Sequence, residues 1–428
     1  MQHDISEQTL PSGAKGLLVN VPGAPVYNIV VRFNSGYQFG NFERFELPHV
    51  LEHMMGCGSA AYPKPNEFKV EVTKNGAYRN ANTSSRVNGY VLECAAFELP
   101  RILDLLEEYL ARPTFPAEAL PTELSNVSEE LSRNITDHDR AVGIALLAKS
   151  FPKDFMAYEP RIKQLSRISR DDVTAYYAQT HTAKNARFYI AGDIDEARQA
   201  SLLERLEQIF SQLPEGKRLV YRDDPGTSSI ETIVTQRSIE PLYYICEVYG
   251  GGMTDQERRA LKLLRVMLFG GFASRVYGEA RRRGLAYHIG GGVNASSDSS
   301  ALSFSGNVSW PNAAPLFELA VTEILKLRDE GPSEAEVQAG IDLIIGSMDR
   351  SLQTAGDTMG YYLGLYDAEE RIVMLAEEQA AIRALMPKDV QHVARIARTG
   401  AAHGLSLLGD PKPEAQLELE TIAARLWS

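Results

Sequence analysis

Three cysteines are all that the 428-residue chain contains, and they stand far apart at Cys57, Cys94 and Cys246. Their odd number and the lack of any C-x-x-C pair exclude a disulfide scaffold and a cysteine-bound zinc site. Any metal in this protein must therefore be held by histidine and carboxylate side chains.

Positive charge is also scarce, because 44 Lys and Arg stand against 56 Asp and Glu, for a formal net charge of -12. This balance argues against a nucleic-acid-binding protein, since binding phosphates needs a basic face. No apolar run approaches the roughly 18 residues of a membrane span, and the first residues lack the charged and apolar segments of a secretory signal. We therefore expect an acidic cytoplasmic protein with no membrane span.

The rest of the composition is ordinary for a globular protein, with 44% hydrophobic and 23% charged residues. At roughly 100–200 residues per domain, the length predicts more than one domain. A helix-start signal at Asp172 and a strand end at Gly192 recur at Asp389 and Gly409, both at an offset of 217 positions. Two landmarks at one offset of half the chain predict two similar domains.

Strand and helix patterns occur in both halves. Strands are predicted at 29–33, 90–94, 187–190, 243–249 and 302–310, and helices at 102–110 and 316–327. This mixture predicts an α+β fold of two similar duplicated domains, each a mostly antiparallel sheet packed with helices. Because 212–229 is rich in Pro, Gly and polar residues, we predict a linker there, between domains 1–211 and 230–428.

The most specific pattern is His49-Val50-Leu51-Glu52-His53, on a predicted helix with Pro48 in its first turn. At about 100° per residue, the two histidines and Glu52 share one helix face. Imidazoles at positions i and i+4 can bind one zinc ion, and the glutamate between them can take a proton from water. The alternative is a chance pair of histidines on a half-buried helix.

A catalytic zinc site needs a third protein ligand, and a carboxylate is the natural one beside two histidines. Glu123 and Glu130 lie on the same edge of an apolar stripe on a predicted helix, whereas Glu129 lies nearly opposite. Periodicity therefore selects Glu130 over Glu129. The alternative is that Glu123 and Glu130 are solvated residues beside a core stripe, which is formed by Leu120, Leu124, Val127 and Leu131.

An H-x-x-E-H motif, a glutamate 77 positions later and another glutamate seven before that one resemble the pitrilysin/insulinase family of zinc metallopeptidases. This inverzincin family includes the mitochondrial processing peptidases. The resemblance implies zinc ligands at His49, His53 and Glu130. It also implies that Glu52 is the general base and Glu123 a supporting carboxylate.

Two other stretches resemble the same family. Residues 76–83 resemble its G-G-x-x-N-A-x-T segment, with Ala77 in place of the second glycine, which implies that Asn80 and Ala81 bind substrate backbone. The second half has no H-x-x-E-H but carries Arg and Gly-Leu-x-Tyr, which implies that Arg281 and Tyr287 reach the substrate and the developing oxyanion. The spacing is one residue shorter than usual, so Arg282 remains an alternative to Arg281.

The sequence thus predicts a zinc-dependent endopeptidase that hydrolyses oligopeptides or unfolded leader segments. The resemblance implies a closed chamber formed by two chains. Since both half-signatures are present, we expect a homodimer, with a heterodimer containing a paralogous chain as the alternative. Two other functions stay open: a non-catalytic or accessory subunit of a heterodimeric peptidase, and a small-molecule metallohydrolase.

Overall fold

The computed structural model describes residues 2–221, 229–410 and 412–428. These residues form two compact units, each built on one sheet. Unit 1 takes the residues up to 132 with 159–221 and 349–373, and unit 2 takes 133–158, the described residues from 229 to 348, and 374–428. In the part of the chain that is described, no helix combines the length and the apolar character needed to cross a bilayer.

The sheet of unit 1 has the strand order β1-β2-β6-β3-β5-β4. Its neighbours pair antiparallel except β2 and β6, which are parallel. Among the described residues, strand β4 therefore lies at one edge of the sheet and pairs with β5 alone. The strands are β1 (Asp4–Thr9), β2 (Lys15–Asn20), β3 (Val26–Asn34), β4 (Tyr78–Thr83), β5 (Val87–Ala95) and β6 (Ala186–Gly192).

The sheet of unit 2 has the order β7-β11-β8-β10-β9, which repeats the order β2-β6-β3-β5-β4 of unit 1. The strand directions also repeat, since β7 and β11 are parallel and the other pairs among the described strands of unit 2 are antiparallel. Gly192 ends β6 and Gly409 ends β11, at equivalent places. The predicted α+β fold of two similar domains is confirmed. The strands are β7 (Ile233–Gln236), β8 (Leu242–Gly251), β9 (Ile289–Ala295), β10 (Ser299–Val308) and β11 (Ala402–Gly409).

Helices surround both sheets. Helix α5 comes from the first half of the sequence but belongs to unit 2, and α13 comes from the second half but belongs to unit 1. The helices are α1 (Leu47–Met55), α2 (Glu67–Thr73), α3 (Leu99–Ala111), α4 (Leu120–Thr136), α5 (His138–Ser150), α6 (Tyr158–Gln164), α7 (Arg170–Thr180), α8 (Glu196–Phe210), α9 (Asp255–Phe269), α10 (Tyr277–Arg282), α11 (Trp310–Asp329), α12 (Glu334–Ser351), α13 (Ala355–Glu369), α14 (Leu375–Arg383), α15 (Pro387–Ala394) and α16 (Pro413–Ala424).

Each compact unit thus includes a segment from the other predicted domain. The predicted domains 1–211 and 230–428, with the linker 212–229 between them, stay a prediction. Residues 222–228 of that linker lie outside the described residues.

Strand β6 lies in the middle of the unit 1 core, and every one of its residues is buried. Alternate side chains of a strand point to opposite faces of the sheet. Tyr189 accordingly packs with Tyr366 of α13 on one face, while Phe188 contacts Phe210 of α8. A strand covered on both faces reads as a nearly continuous apolar run, as this one does.

The predicted strands and helices lie within observed elements, with one boundary wrong. The predicted strand 302–310 ends at Val308, and Trp310 instead begins α11. Pro311 explains the difference, because proline has no backbone N–H for a sheet ladder and fits the first turn of a helix.

Candidate metal centre

Helix α1 carries the two histidines. Pro48 lies in its first turn, as predicted, and the helix buries Val50, Leu51 and Met54. His49, Glu52 and His53 offer ligand atoms that all lie within 4.8 Å of one another. The apolar side chains fix the rotation of the helix, so these three polar groups share one place.

Glu130 of α4 lies against the two histidines. Its Oε2 is 3.5 Å from the Nε2 of His49 and 3.9 Å from the Nε2 of His53. The neighbouring Glu129 is exposed, whereas Val127 of the same helix is fully buried. The structure thus brings Glu130 to the histidines and leaves Glu129 away from them.

Glu123, two turns earlier on α4, is buried and contacts the other side of His53. Its Oε2 lies 3.0 Å from the Nδ1 of His53 and accepts a bond of 3.0 Å from the Nδ2 of Asn126, while the Cys57 thiol donates to Oε1 at 3.2 Å. Burial raises the pKa of Glu123, but these hydrogen bonds outweigh it and lower the pKa to about 2. Glu123 is therefore not the solvated residue of the alternative interpretation.

Cys57 is a small buried side chain beside this carboxylate. Burial, with the adjacent charge of Glu123 and the hydrogen bond to it, raises the pKa of the Cys57 thiol to about 12. A thiol with so high a pKa is unreactive at neutral pH.

Glu46 makes the equivalent contact to His49, although no motif in the sequence singled it out. Its carboxylate is completely buried, lies 2.9 Å from the Nδ1 of His49 and pairs with the Nε of Arg161. Burial raises the pKa of Glu46, but the hydrogen bond with His49 and the charge of Arg161 lower it overall. The sequence does hold a local signal for Glu46, because it is a carboxylate three residues before His49. It holds no such signal for Arg161, which lies 115 positions from Glu46.

The donor set can be tested against zinc. Carboxylates occupy both Nδ1 atoms, so both Nε2 atoms remain for a metal, as is usual in carboxylate–histidine–zinc arrangements. In a tetrahedral site with bonds of about 2.0–2.1 Å, ligand atoms lie about 3.3 Å apart, close to the 3.5 and 3.9 Å separations from Glu130 Oε2. Two imidazole nitrogens and one carboxylate therefore fit Zn²⁺, and His49, His53 and Glu130 are the residues that would hold it.

The carboxylates beside His49 favour a protonated imidazole. Burial lowers the pKa of His49, but the hydrogen bonds to Glu130 and Glu46 outweigh it and raise the pKa to about 10. A metal must displace this proton, because only neutral imidazole is a ligand.

Glu52 is oriented by the end of strand β4. The hydroxyl of Thr83 donates to the Oε2 of Glu52 at 3.2 Å and accepts a bond of 3.0 Å from the Nδ2 of Asn88. Asn88 also donates to the backbone oxygen of Pro48, at 2.9 Å, in the first turn of α1. This chain of hydrogen bonds connects the helix to the edge strand and fixes the Glu52 carboxylate between them.

Asn80 and Ala81 lie in the middle of edge strand β4, opposite Val91 and Tyr90 of β5. Asn80 is exposed, and its Oδ1 accepts a bond of 3.0 Å from the N–H of Ala81. A sheet edge of this kind can pair with an extended peptide through backbone hydrogen bonds.

Tyr287 and the two candidate arginines lie in unit 2, just before β9. Tyr287 is 84% exposed, and the Arg281 guanidinium lies 4.5 Å from its ring centre and donates to its backbone oxygen at 2.9 Å. Arg282 instead forms an ion pair of 2.5 Å with Glu279. Both arginines thus have a partner within unit 2, and which of them faces a substrate stays a prediction.

Two family models together match most of the chain. Residues 17–158 match the model described as insulinase (peptidase family M16), and residues 167–343 match the peptidase M16 inactive domain. The second description agrees with the lack of a second H-x-x-E-H in residues 230–428.

Curated relatives include zinc proteases. An uncharacterized zinc protease of Rickettsia felis is 23% identical over 353 residues, which are 80% of this chain and 83% of that protein. The mitochondrial-processing peptidase subunit beta of Dictyostelium discoideum is 21% identical over 251 residues, 57% of this chain and 52% of its own.

Solved structures show the same fold. The peptidase M16 inactive domain from Pseudomonas fluorescens has a TM-score of 0.86 at 16% identity, covering 96% of this chain and 98% of its own. A protease from Helicobacter pylori has a TM-score of 0.81 at 19% identity, covering 96% and 100%.

Proposed function

Since the chain belongs to the M16 family of peptidases, whose two domain models match 17–158 and 167–343, we propose that it is a zinc-dependent endopeptidase. The observation that carries the proposal is the convergence of His49, His53 and Glu130, with Glu52 beside them. A carboxylate that is close to a metal site, but held by a hydroxyl rather than by the histidines, is suited to move protons.

Zn²⁺ held by His49, His53 and Glu130 would supply a Lewis acid for the attacking water and the substrate carbonyl. Glu52 accepts the proton of the attacking water on its carboxylate and then returns it to the amine nitrogen of the leaving peptide. The Thr83 hydroxyl holds one oxygen of Glu52, and the other oxygen would face the reactants. Glu123 keeps His53 in the tautomer that presents Nε2.

The substrate we propose is an extended oligopeptide or an unfolded leader segment. The outer edge of β4 supports this choice, because backbone pairing with an edge strand selects extended chains and not folded domains. Asn80 and Ala81 lie on that edge and would contact the substrate backbone. Thr83 ends the strand beside Glu52, so a peptide paired along β4 is led to the general base.

We further propose that a second chain completes each site within a closed chamber. Tyr287 and Arg281 would donate hydrogen bonds to the developing oxyanion, and the 84% exposure of Tyr287 leaves its hydroxyl accessible to a partner chain. A homodimer is proposed because one chain carries both sets of residues. One relative is by its name a subunit, so a heterodimer is the alternative. A cytoplasmic location is part of this proposal and is tested by cell fractionation.

Hydrolysis assays with the zinc-loaded protein test the proposal. We expect cleavage of internal bonds in a library of unstructured decapeptides, no turnover of small amides and esters, loss of activity with a chelator and recovery with one equivalent of zinc per chain. Turnover of small amides without peptide cleavage would indicate the metallohydrolase. Zinc binding without any hydrolysis would indicate the accessory subunit.

A further inference from the structure

Glu46 and Arg161 form a buried ion pair in the wall of the candidate metal centre. The side chain of Glu46 is completely buried, and that of Arg161 is 8% exposed. Removing two charges from water is unfavourable before their attraction is counted. A pair of this kind needs good geometry and further hydrogen bonds, so its partners indicate what it does.

The partners of Glu46 use both of its oxygens. Oε1 pairs with the Nε of Arg161, and Oε2 lies 2.9 Å from the Nδ1 of His49. An ionised carboxylate only accepts hydrogen bonds, so the Nδ1 of His49 must be the donor. That leaves the Nε2 of His49, which lies 3.5 Å from Glu130, to face the metal position.

Arg161 is itself fixed by aromatic rings. Its guanidinium carbon lies 4.8 Å from the ring centre of Tyr37 and 5.1 Å from that of Phe45, and these rings stack 5.0 Å apart. Gln164, one turn later on α6, accepts a bond of 3.0 Å from the backbone N–H of Phe45. Arg161 therefore keeps one orientation, and the carboxylate that pairs with it is held as well.

The geometry points to Glu46 as a positioning residue of the metal centre, which fixes the ring of His49 with Nε2 turned to the metal while Arg161 holds Glu46 in place. This inference rests on the proposed function, because it requires zinc at His49, His53 and Glu130. Glu46 then does for His49 what Glu123 does for His53. The site is held on both sides by carboxylates from different elements.

Glu46→Gln is the variant that tests this role. Glutamine has a single acceptor oxygen, so either His49 or Arg161 loses its hydrogen bond to this side chain, and the buried negative charge beside Arg161 is removed. We expect zinc affinity to fall by about 10–100-fold, the usual effect of losing a hydrogen bond to a metal-bound histidine. If Arg161 acts through Glu46, Glu46→Gln/Arg161→Gln should lose much less than the product of the two single losses.

Zinc dissociation constants of the folded full-length protein are measured by competition with a chromogenic chelator. The matched control is Glu98→Gln, because Glu98 is also buried and paired with an arginine, Arg101, and with Asn75, but contacts neither histidine. Both variants should lower the melting temperature of the metal-free protein. Only Glu46→Gln should weaken zinc binding and shift the visible spectrum of the Co²⁺-substituted protein, which a purely structural role would leave unchanged.

A zinc affinity of Glu46→Gln within about threefold of wild type, below the range for such hydrogen bonds, would overturn the inference. An equal loss in Glu98→Gln would also overturn it. If Glu46→Gln does not fold, the double variant, which removes both buried charges together, is measured against the same limits. Failure of the wild-type chain to bind zinc would instead refute the proposed function, so the two failures are distinct.

Discussion

The carboxylate of Glu123 gives the sharpest quantitative prediction, through Glu123→Gln. Its side chain is 10% exposed, and its oxygens accept bonds from the Nδ1 of His53, the Nδ2 of Asn126 and the thiol of Cys57. The glutamine side chain of the variant has one acceptor oxygen where the carboxylate has two. If that oxygen stays on His53, the new NH₂ group faces the Cys57 thiol, and if the amide turns, the Nδ1 of His53 loses its acceptor.

The expected cost follows from these contacts. A hydrogen bond to a charged group contributes about 1.5–3 kcal/mol, and 1.4 kcal/mol is tenfold in a binding constant. Glu123→Gln should therefore weaken zinc binding by roughly 10–150-fold, while the variant remains folded. Competition with a chelator of known affinity measures the zinc dissociation constant, and circular dichroism checks the fold.

A matched control separates this effect from general damage to unit 1. The side chain of Glu107 on α3 is 11% exposed and pairs with Arg112 and Arg205, without contact to either histidine. Glu107→Gln should leave zinc affinity unchanged. Unchanged affinity in Glu123→Gln, or an equal loss in Glu107→Gln, would refute the reasoning.

Three further predictions use other parts of the chain. Glu130→Gln should lose most of its zinc on dialysis, measured by elemental analysis, whereas Glu129→Gln should keep it; equal retention would contradict the choice of Glu130. A thiol reagent at pH 8 should label the native protein slowly, and it should label all three cysteines after unfolding. The reason is that a pKa of about 12 keeps Cys57 protonated, and burial also raises the pKa of Cys94 and Cys246. Rapid labelling of the native protein would contradict this. Mixing inactive Glu52→Gln and Tyr287→Phe chains under subunit exchange should restore up to about a quarter of wild-type activity if chains pair at random; no recovery despite exchange, shown with differently tagged chains, would exclude a site shared between chains.

Helical periodicity is enough to place several features of the site. At about 100° per residue, the phase of α1 puts His49 and His53 on one face. The phase of α4 puts Glu130, and not Glu129, beside the histidines. These features follow from the helical repeat alone, which can be read from the spacing of residues in the sequence. Their roles in binding and catalysis stay predictions.

Long-range packing could not be predicted in the same way. Arg161 lies 115 positions from Glu46, and no periodicity connects α6 with α1. The assignment of α13 to unit 1, where Tyr366 packs beside Tyr189, also has no local signal. The 217-residue offset shows that the halves are similar, but a repeat does not specify which sheet a connecting helix covers.

The central claim is that Glu52 moves protons at a zinc centre that other residues hold. Peptide hydrolysis and zinc content, measured together on wild type and Glu52→Gln, test it most directly. We expect one zinc per chain in both proteins and a loss of roughly 10²–10⁴-fold or more in kcat for the variant, because the amide cannot accept a proton. Peptide cleavage by zinc-loaded Glu52→Gln at the wild-type rate would contradict the claim.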